Sequence, residues 1–321
     1  MNISQLISIG IPEGGNLDAV RELQPGGVVL FARNADKPAE LRRLARNLSE
    51  LLEIAPFISI DHEGGRVQRL KDGFSILPSA REVGEQGARA VNLSAMTAAA
   101  ELRNAGINVN FAPVCDVPTH ENDTVIGNRA YSTNPIRASL LGAEYIRGAQ
   151  GSILCCAKHF PGHGGVGVDS HMGLPIFEGT RAELEAHLTP FRGAMAAGVG
   201  SMMIGHIVVP CLDNSGAPAS LSEKIVTGVL REEMGFRGLI FTDDMEMHAL
   251  DQTKSGENAV RALQAGCDHI LICHSAEKAR EAIGAIQVAL KNGSLSEARV
   301  QDALNRVEWA KKRFGIIKAA T

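Results

Sequence analysis

Aromatic side chains are scarce. The 321-residue chain carries one Trp, two Tyr and ten Phe, too few for a surface that stacks the bases of a nucleic acid. Charge of one sign is scarce as well. The formal net charge is −4 and no long run of like charge occurs, so neither a basic nucleic-acid footprint nor a patch for anionic lipid is expected. No uninterrupted apolar run reaches membrane-spanning length. The opening residues, 1–10, lack the basic region and cleavage site of a secretory leader. Cysteine is present but unpatterned: of Cys115, Cys155, Cys156, Cys211, Cys267 and Cys273, none forms a C-x-x-C pair. In a chain of this length they read as reduced core thiols. These absences lead to the expectation of a cytoplasmic protein with neither nucleic-acid nor membrane partners.

What is there is ordinary in amount and regular in order. Hydrophobic residues make up 45% and charged residues 21% of the chain, as in soluble globular proteins. Short β-branched runs alternate with amphipathic segments. Strands are expected at 5–10, 27–31, 57–61, 107–111, 153–157, 200–204, 238–242 and 268–272. Several are apolar throughout, as strands buried on both faces must be. Helices are expected at 38–53, 86–105, 135–149, 190–197, 222–234, 256–265, 276–291 and 296–313. Thr189-Pro190, Ser222 and Ser296 serve as starts, and Gly106, Gly198 and Gly266 as ends. Eight alternating units predict one (β/α)8 TIM barrel, a single α/β domain over 1–321, with a doubly wound open sheet as the rival. No linker or repeat divides the chain.

In such a barrel the active site lies at the carboxyl ends of the strands, and the chemistry-bearing residues collect there. The third strand runs into Asp61-His62-Glu63-Gly64-Gly65-Arg66, the fourth leads to Asp116, the fifth ends at Lys158-His159, the sixth at His206, the seventh at Asp243-Asp244 and the eighth at His274. After Lys158-His159 comes Phe160-Pro161-Gly162-His163-Gly164-Gly165-Val166-Gly167-Val168-Asp169-Ser170-His171. Its glycines suit a sharply bent or mobile loop.

A carboxylate at a strand tip with a separate proton donor suits retaining glycoside hydrolysis. Asp243 is the candidate nucleophile, with Asp244 supporting the site or packing beside it. His171 is the candidate acid/base, because imidazole exchanges protons near neutral pH. Asp169 is placed to hold that ring. Lys158 and Arg69 suit sugar hydroxyls, Asp61 can accept from two of them, and Arg129 lies in the long loop after the fourth strand. A zinc reading would use His159, His163, His171, His206 and Asp243, but Pro161 and Gly162 break the helix that would align the first two.

These runs resemble family 3 glycoside hydrolases of the β-N-acetylglucosaminidase type, the NagZ group. The segment 158–164 with Asp169-Ser170-His171 is similar to that group's signature. Asp61-His62-Glu63-Gly64-Gly65-Arg66-Val67-Gln68-Arg69 resembles its D-Q-E-G-G-R-V-Q-R segment, Ile126-Gly127-Asn128-Arg129 its I-G-x-R, and Phe241-Thr242-Asp243-Asp244-Met245 its F-S-D-D-L/M. The resemblance spans about residues 27 to 275. It implies a TIM barrel, a two-step retaining mechanism, and release of terminal β-linked N-acetylglucosamine from muropeptides in cytoplasmic peptidoglycan recycling. A metal-independent monomer without cofactor is expected. It implies Asp243 as nucleophile, His171 as acid/base with Asp169 as its partner, and Asp61, Arg69, Arg129, Lys158 and His159 as sugar-binding. The chain departs from the group's pattern at His62, Thr242, Ala130-Tyr131 and Gly165-Val166. Two other readings stay open: a glycoside phosphorylase, since a neutral histidine would not repel phosphate, and a muropeptide-binding barrel without turnover.

Overall fold

Eight parallel strands close into one barrel. The computed structural model describes residues 1–34, 37–119, 125–166 and 173–317; Asp169 and His171 lie outside them. The barrel strands are β1 (Ile7–Gly10), β2 (Gly27–Leu30), β3 (Phe57–Ile60), β6 (Val109–Asn110), β7 (Leu154–Phe160), β8 (Ser201–Ile204), β9 (Leu239–Asp244) and β10 (His269–Ile272). Their order around the ring is β1-β10-β9-β8-β7-β6-β3-β2. A small antiparallel hairpin, β4 (His62–Gly64) with β5 (Val67–Gln68), folds back directly after β3. The closed ring excludes the open-sheet alternative.

The apolar runs become strands because both faces are covered. Every residue of β2, β3, β7, β8 and β10 is buried. Inside, large side chains fill the ring: Phe57, Phe241 and His269 meet edge to face at 5.2–5.8 Å, and Phe111 sits 5.6 Å from Phe241. The barrel interior is therefore a packed core. Among the described residues no helix is long and apolar enough to cross a membrane. All six cysteines are free thiols, and all but Cys211 are buried.

The surrounding helices are α1 (Asp18–Leu23), α2 (Pro38–Leu51), α3 (Ala80–Glu85), α4 (Ala88–Asn104), α5 (Pro135–Ala149), α6 (Arg181–Ala196), α7 (Ser255–Ala265), α8 (Ala276–Lys291) and α9 (Glu297–Arg313), with a π-helical segment over Lys224–Glu233. α2 takes proline at its first position and buries Leu41, Ala45 and Leu48. Ser296 accepts from the Arg299 N–H and caps α9. Ser222 accepts from the Ile225 N–H at 3.3 Å, but the helix it leads into is π-wound rather than α.

One helix start differs from expectation, and one short helix is additional to those expected. The helix expected from Thr189-Pro190 begins nine residues earlier, at Arg181, and Pro190 lies in its interior. Thr180 and Glu183 form a reciprocal capping box there, and Leu184, Leu188, Phe191 and Ala194 bury one face. That start and that apolar face offset the roughly 3 kcal/mol an interior proline costs. The helix expected at 86–105 is α4, and a further short helix, α3, precedes it, started by a second capping box of Ser79 and Glu82.

The floor of the barrel is closed by α9. Lys311 is 1% exposed, donates to Gln5 Oε1 at 2.9 Å and lies 5.1 Å from the Phe57 ring centre. Among the described residues no carboxylate reaches it, and burial pushes its amine down to about 7. The unfolded chain keeps this proton up to about pH 10.4, so the unfolded state binds more protons between the two values and stability rises with pH there. Unfolding free energy, measured by denaturant titration, should climb between pH 7 and pH 9. Lys311→Met should remove about 2 kcal/mol of that rise; an unchanged slope would refute the assignment.

Candidate active site

The strand exits converge on one cavity of about 610 Å³ at the carboxyl end of the barrel. Its lining includes Asp61, Glu63, Arg69, Arg129, Lys158, His159 and Asp243, which belong to four separate strand exits. The structure thus brings together every proposed sugar-binding residue and the proposed nucleophile. Asp169 and His171 are outside the described residues.

The rigid half of the site is an ion-pair lattice. Lys158 ends in an amine 2.5 Å from Asp61 Oδ1 and 2.8 Å from Glu63 Oε1. Arg129 grips Glu63 with Nε and Nη2 at 2.9 and 2.8 Å. Arg69 stands 3.6 Å from the other Asp61 oxygen. Burial alone would raise the Glu63 carboxyl, but Lys158 and Arg129 outweigh it and hold it well below the usual range. Burial alone would lower the Lys158 amine, and Asp61 with Glu63 raise it instead. The charges persist because each has a partner; a lone buried charge here would cost several kcal/mol. Asp61 and Glu63 sit two residues apart on an extended segment, so both point the same way. That parity was the signal for Glu63, which the sequence reading left without a role.

Asp243 closes β9 and is held differently. Its Oδ1 accepts the Asp244 backbone N–H at 2.9 Å. Among the described residues no cation pairs with it. Burial would raise its carboxyl, yet nearby His159 and His206 and the Asp244 N–H lower it on balance, so it is ionised at neutral pH. His206 is wholly buried; its Nδ1 meets Ser220 Oγ at 2.7 Å and its Nε2 the Asp244 carbonyl oxygen at 3.0 Å. Since the carbonyl only accepts, Nε2 carries the proton and the ring pins the backbone beside Asp243. Asp244 also lines the cavity but is tied to the next strand exit: its Oδ1 accepts from Cys273 and Glu246 N–H at 3.2 Å each, and its Oδ2 lies 3.4 Å from His274 Nε2. That contact raises the His274 pKa.

The glycine run is packed rather than loose where it is described. A Cβ on Gly164 would lie 1.8 Å from the Val117 carbonyl oxygen, and one on Gly165 would lie 2.4 Å from Thr119 Cγ2 at a backbone φ of +78°. The loop root therefore lies flat on the segment after β6, a close approach that only glycine permits. His163 and Val166 are buried in it. Among the described residues no group of three or more His, Cys, Asp or Glu is placed to hold a metal ion.

A parallel barrel with ionised carboxylates and matched cations at its carboxyl mouth is the arrangement of a glycoside hydrolase. Residues 2–309 match the family model of the glycosyl hydrolase family 3 N terminal domain. A β-hexosaminidase of Nitrosomonas eutropha is 39% identical over 272 residues, covering 82% of this chain and 77% of that protein. One of Thioalkalivibrio sulfidiphilus is 38% identical over 270 residues, with 81% and 77% covered. A solved family 3 β-N-acetylglucosaminidase from Paenibacillus sp. FPU-7 superposes with a TM-score of 0.95 at 35% identity, and the chain spans all of its own length but 63% of that protein's. A β-N-acetylhexosaminidase of Beutenbergia cavernae gives 0.89 at 28% identity with 97% of both chains covered. The chain belongs to glycosyl hydrolase family 3, and it is a glycoside hydrolase of the β-N-acetylhexosaminidase class.

Proposed function

We propose that the chain is a retaining exo-β-N-acetylglucosaminidase working through a covalent glycosyl-Asp243 intermediate. The observation that carries this reading is Asp243: an ionised carboxylate at a rigid strand tip, lining the cavity with no cation paired to it among the described residues. The paired carboxylates beside it, Asp61 and Glu63, are engaged by Lys158 and Arg129 and are poor nucleophiles.

In the first step Asp243 attacks the anomeric carbon while His171, partnered by Asp169, gives a proton to the leaving oxygen. In the second, water attacks the same carbon, His171 takes its proton, and Asp243 leaves. Asp61, Arg69, Lys158 and His159 hold the sugar's hydroxyls, and Arg129 acts on it beside Glu63. The assignment of His171 and Asp169 rests on the Asp-Ser-His run. Terminal β-1,4-linked N-acetylglucosamine on a muropeptide is the substrate we favour, in cytoplasmic peptidoglycan recycling by a single-domain monomer. The test is turnover of an aryl β-N-acetylglucosaminide against the matching β-glucoside, with and without phosphate. Free N-acetylglucosamine released at far higher kcat/KM than glucose supports the reading. Preference for the glucoside, or sugar phosphate as the only product, would overturn it.

A further inference from the structure

The hydrogen bonds around Asp116 join two parts of the site that the ion-pair lattice does not reach. Asp116 lies just beyond β6 and is 1% exposed. Three N–H donors converge on its carboxylate. The His159 ring Nδ1 is 2.7 Å from Oδ2, the His159 backbone N–H lies 3.2 and 3.3 Å from the two oxygens, and the His163 backbone N–H is 2.6 Å from Oδ1. One carboxylate thus holds a cavity-lining ring and the root of the loop that follows it. The backbone runs are joined as well, with Cys115 N–H donating to the Lys158 carbonyl at 2.6 Å.

We infer that Asp116 is a positioning residue for the reaction proposed above, setting the proton on His159 and the path of residues 162–166 together. The carboxylate offers only acceptors, so the His159 proton must sit on Nδ1. In the neutral ring Nε2 then turns a lone pair to the cavity and can accept from a sugar hydroxyl. Burial would raise the Asp116 carboxyl, but His159 and His163 lower it, so it remains an acceptor at neutral pH. The same oxygen that takes the His163 N–H fixes where the loop leaves the barrel, and by sequence that loop leads to His171.

Asp116→Asn separates this role from simple packing. Asparagine keeps the shape but has one acceptor oxygen for three donors. If that oxygen keeps the backbone N–H groups, the amide NH2 faces His159 Nδ1 and drives the proton to Nε2, which can then only donate. The variant should keep a near-native melting temperature, raise KM about tenfold or more through the lost hydrogen bond, and steepen the dependence of kcat on leaving-group acidity. His159→Asn should raise KM without that steepening. Steepening absent from Asp116→Asn, or equal losses for all leaving groups, overturns the inference.

Should the variant not fold, the unmodified protein still decides. Imidazole nitrogen NMR of the 15N-labelled protein should show His159 protonated at Nδ1 and bare at Nε2, with Nε2 shifting on addition of N-acetylglucosamine. The opposite tautomer, or no shift at saturation, refutes it. The tautomer is read without turnover, so a failure there is distinct from a failure of wild-type glycoside hydrolysis, which would defeat the proposed function instead.

Discussion

Asp243→Ala should lose roughly 10⁴-fold or more in kcat, the scale seen when a covalent nucleophile is removed. Its melting temperature should barely move, because the carboxylate makes one hydrogen bond to the Asp244 N–H and no ion pair among the described residues. The direct check is trapping. A fluorinated substrate that forms its intermediate quickly and hydrolyses slowly should leave a sugar mass on the peptide that contains Asp243. A label on Asp61 or Glu63 would reverse the assignment. The structure gives a reason to expect it on Asp243. Lys158 stands within 2.8 Å of both other carboxylates, and Arg129 takes both Glu63 oxygens. A carboxylate whose lone pairs are bound to cations has little left to offer an anomeric carbon.

His171→Ala should divide substrates by their leaving groups. Aryl glycosides that depart as stable phenolates need no proton and should form the intermediate at nearly the wild-type rate. Alkyl and sugar leaving groups need one and should slow by about 10²- to 10⁴-fold. The two classes are compared in kcat/KM, which reports the first chemical step. Equal losses on both would mean that His171 contributes binding or structure. The second half-reaction uses the same residue as base, so the variant should also accumulate glycosyl-enzyme on the activated substrates, visible as a burst of phenol.

The strands were legible because burial on both faces leaves no room for ambiguity: Val28, Val29, Ile58, Cys155 and Ile270 are apolar on either parity. The barrel followed from their count. The cavity residues were legible from their place at strand ends, since Asp61, Lys158 and Asp243 are each the first charged group at a tip. What the sequence did not show was partnership. Nothing in the spacing says that Lys158 bridges Asp61 to Glu63 across about a hundred residues, or that Asp116 meets His159 and His163. These pairings are set by how neighbouring strands align in the closed ring. Local chemistry also misled at Thr189-Pro190, which has the form of a helix start; the capping pair at Thr180 and Glu183 and a buried apolar face carried the helix through it. The loop glycines pointed to freedom, whereas at Gly164 and Gly165 the absence of a side chain lets the backbone lie against Val117 and Thr119.

The ring closes between β1 and β10, and the bonds that seal it join the two ends of the chain. Ser8 Oγ meets His269 Nε2 at 2.7 Å, 261 residues apart, and Gln5 meets Lys311 across 306 residues. During synthesis β1 has β2 on one side and an open edge on the other until β10 emerges. Such an edge is a template for wrong pairing, and contacts of this span form slowly because the loop they close is long. Interactions made late in folding are lost early in unfolding and govern how fast the native state opens. The seam between β1 and β10 therefore decides the lifetime of the fold, and it lies one strand away from β9, whose tip carries Asp243.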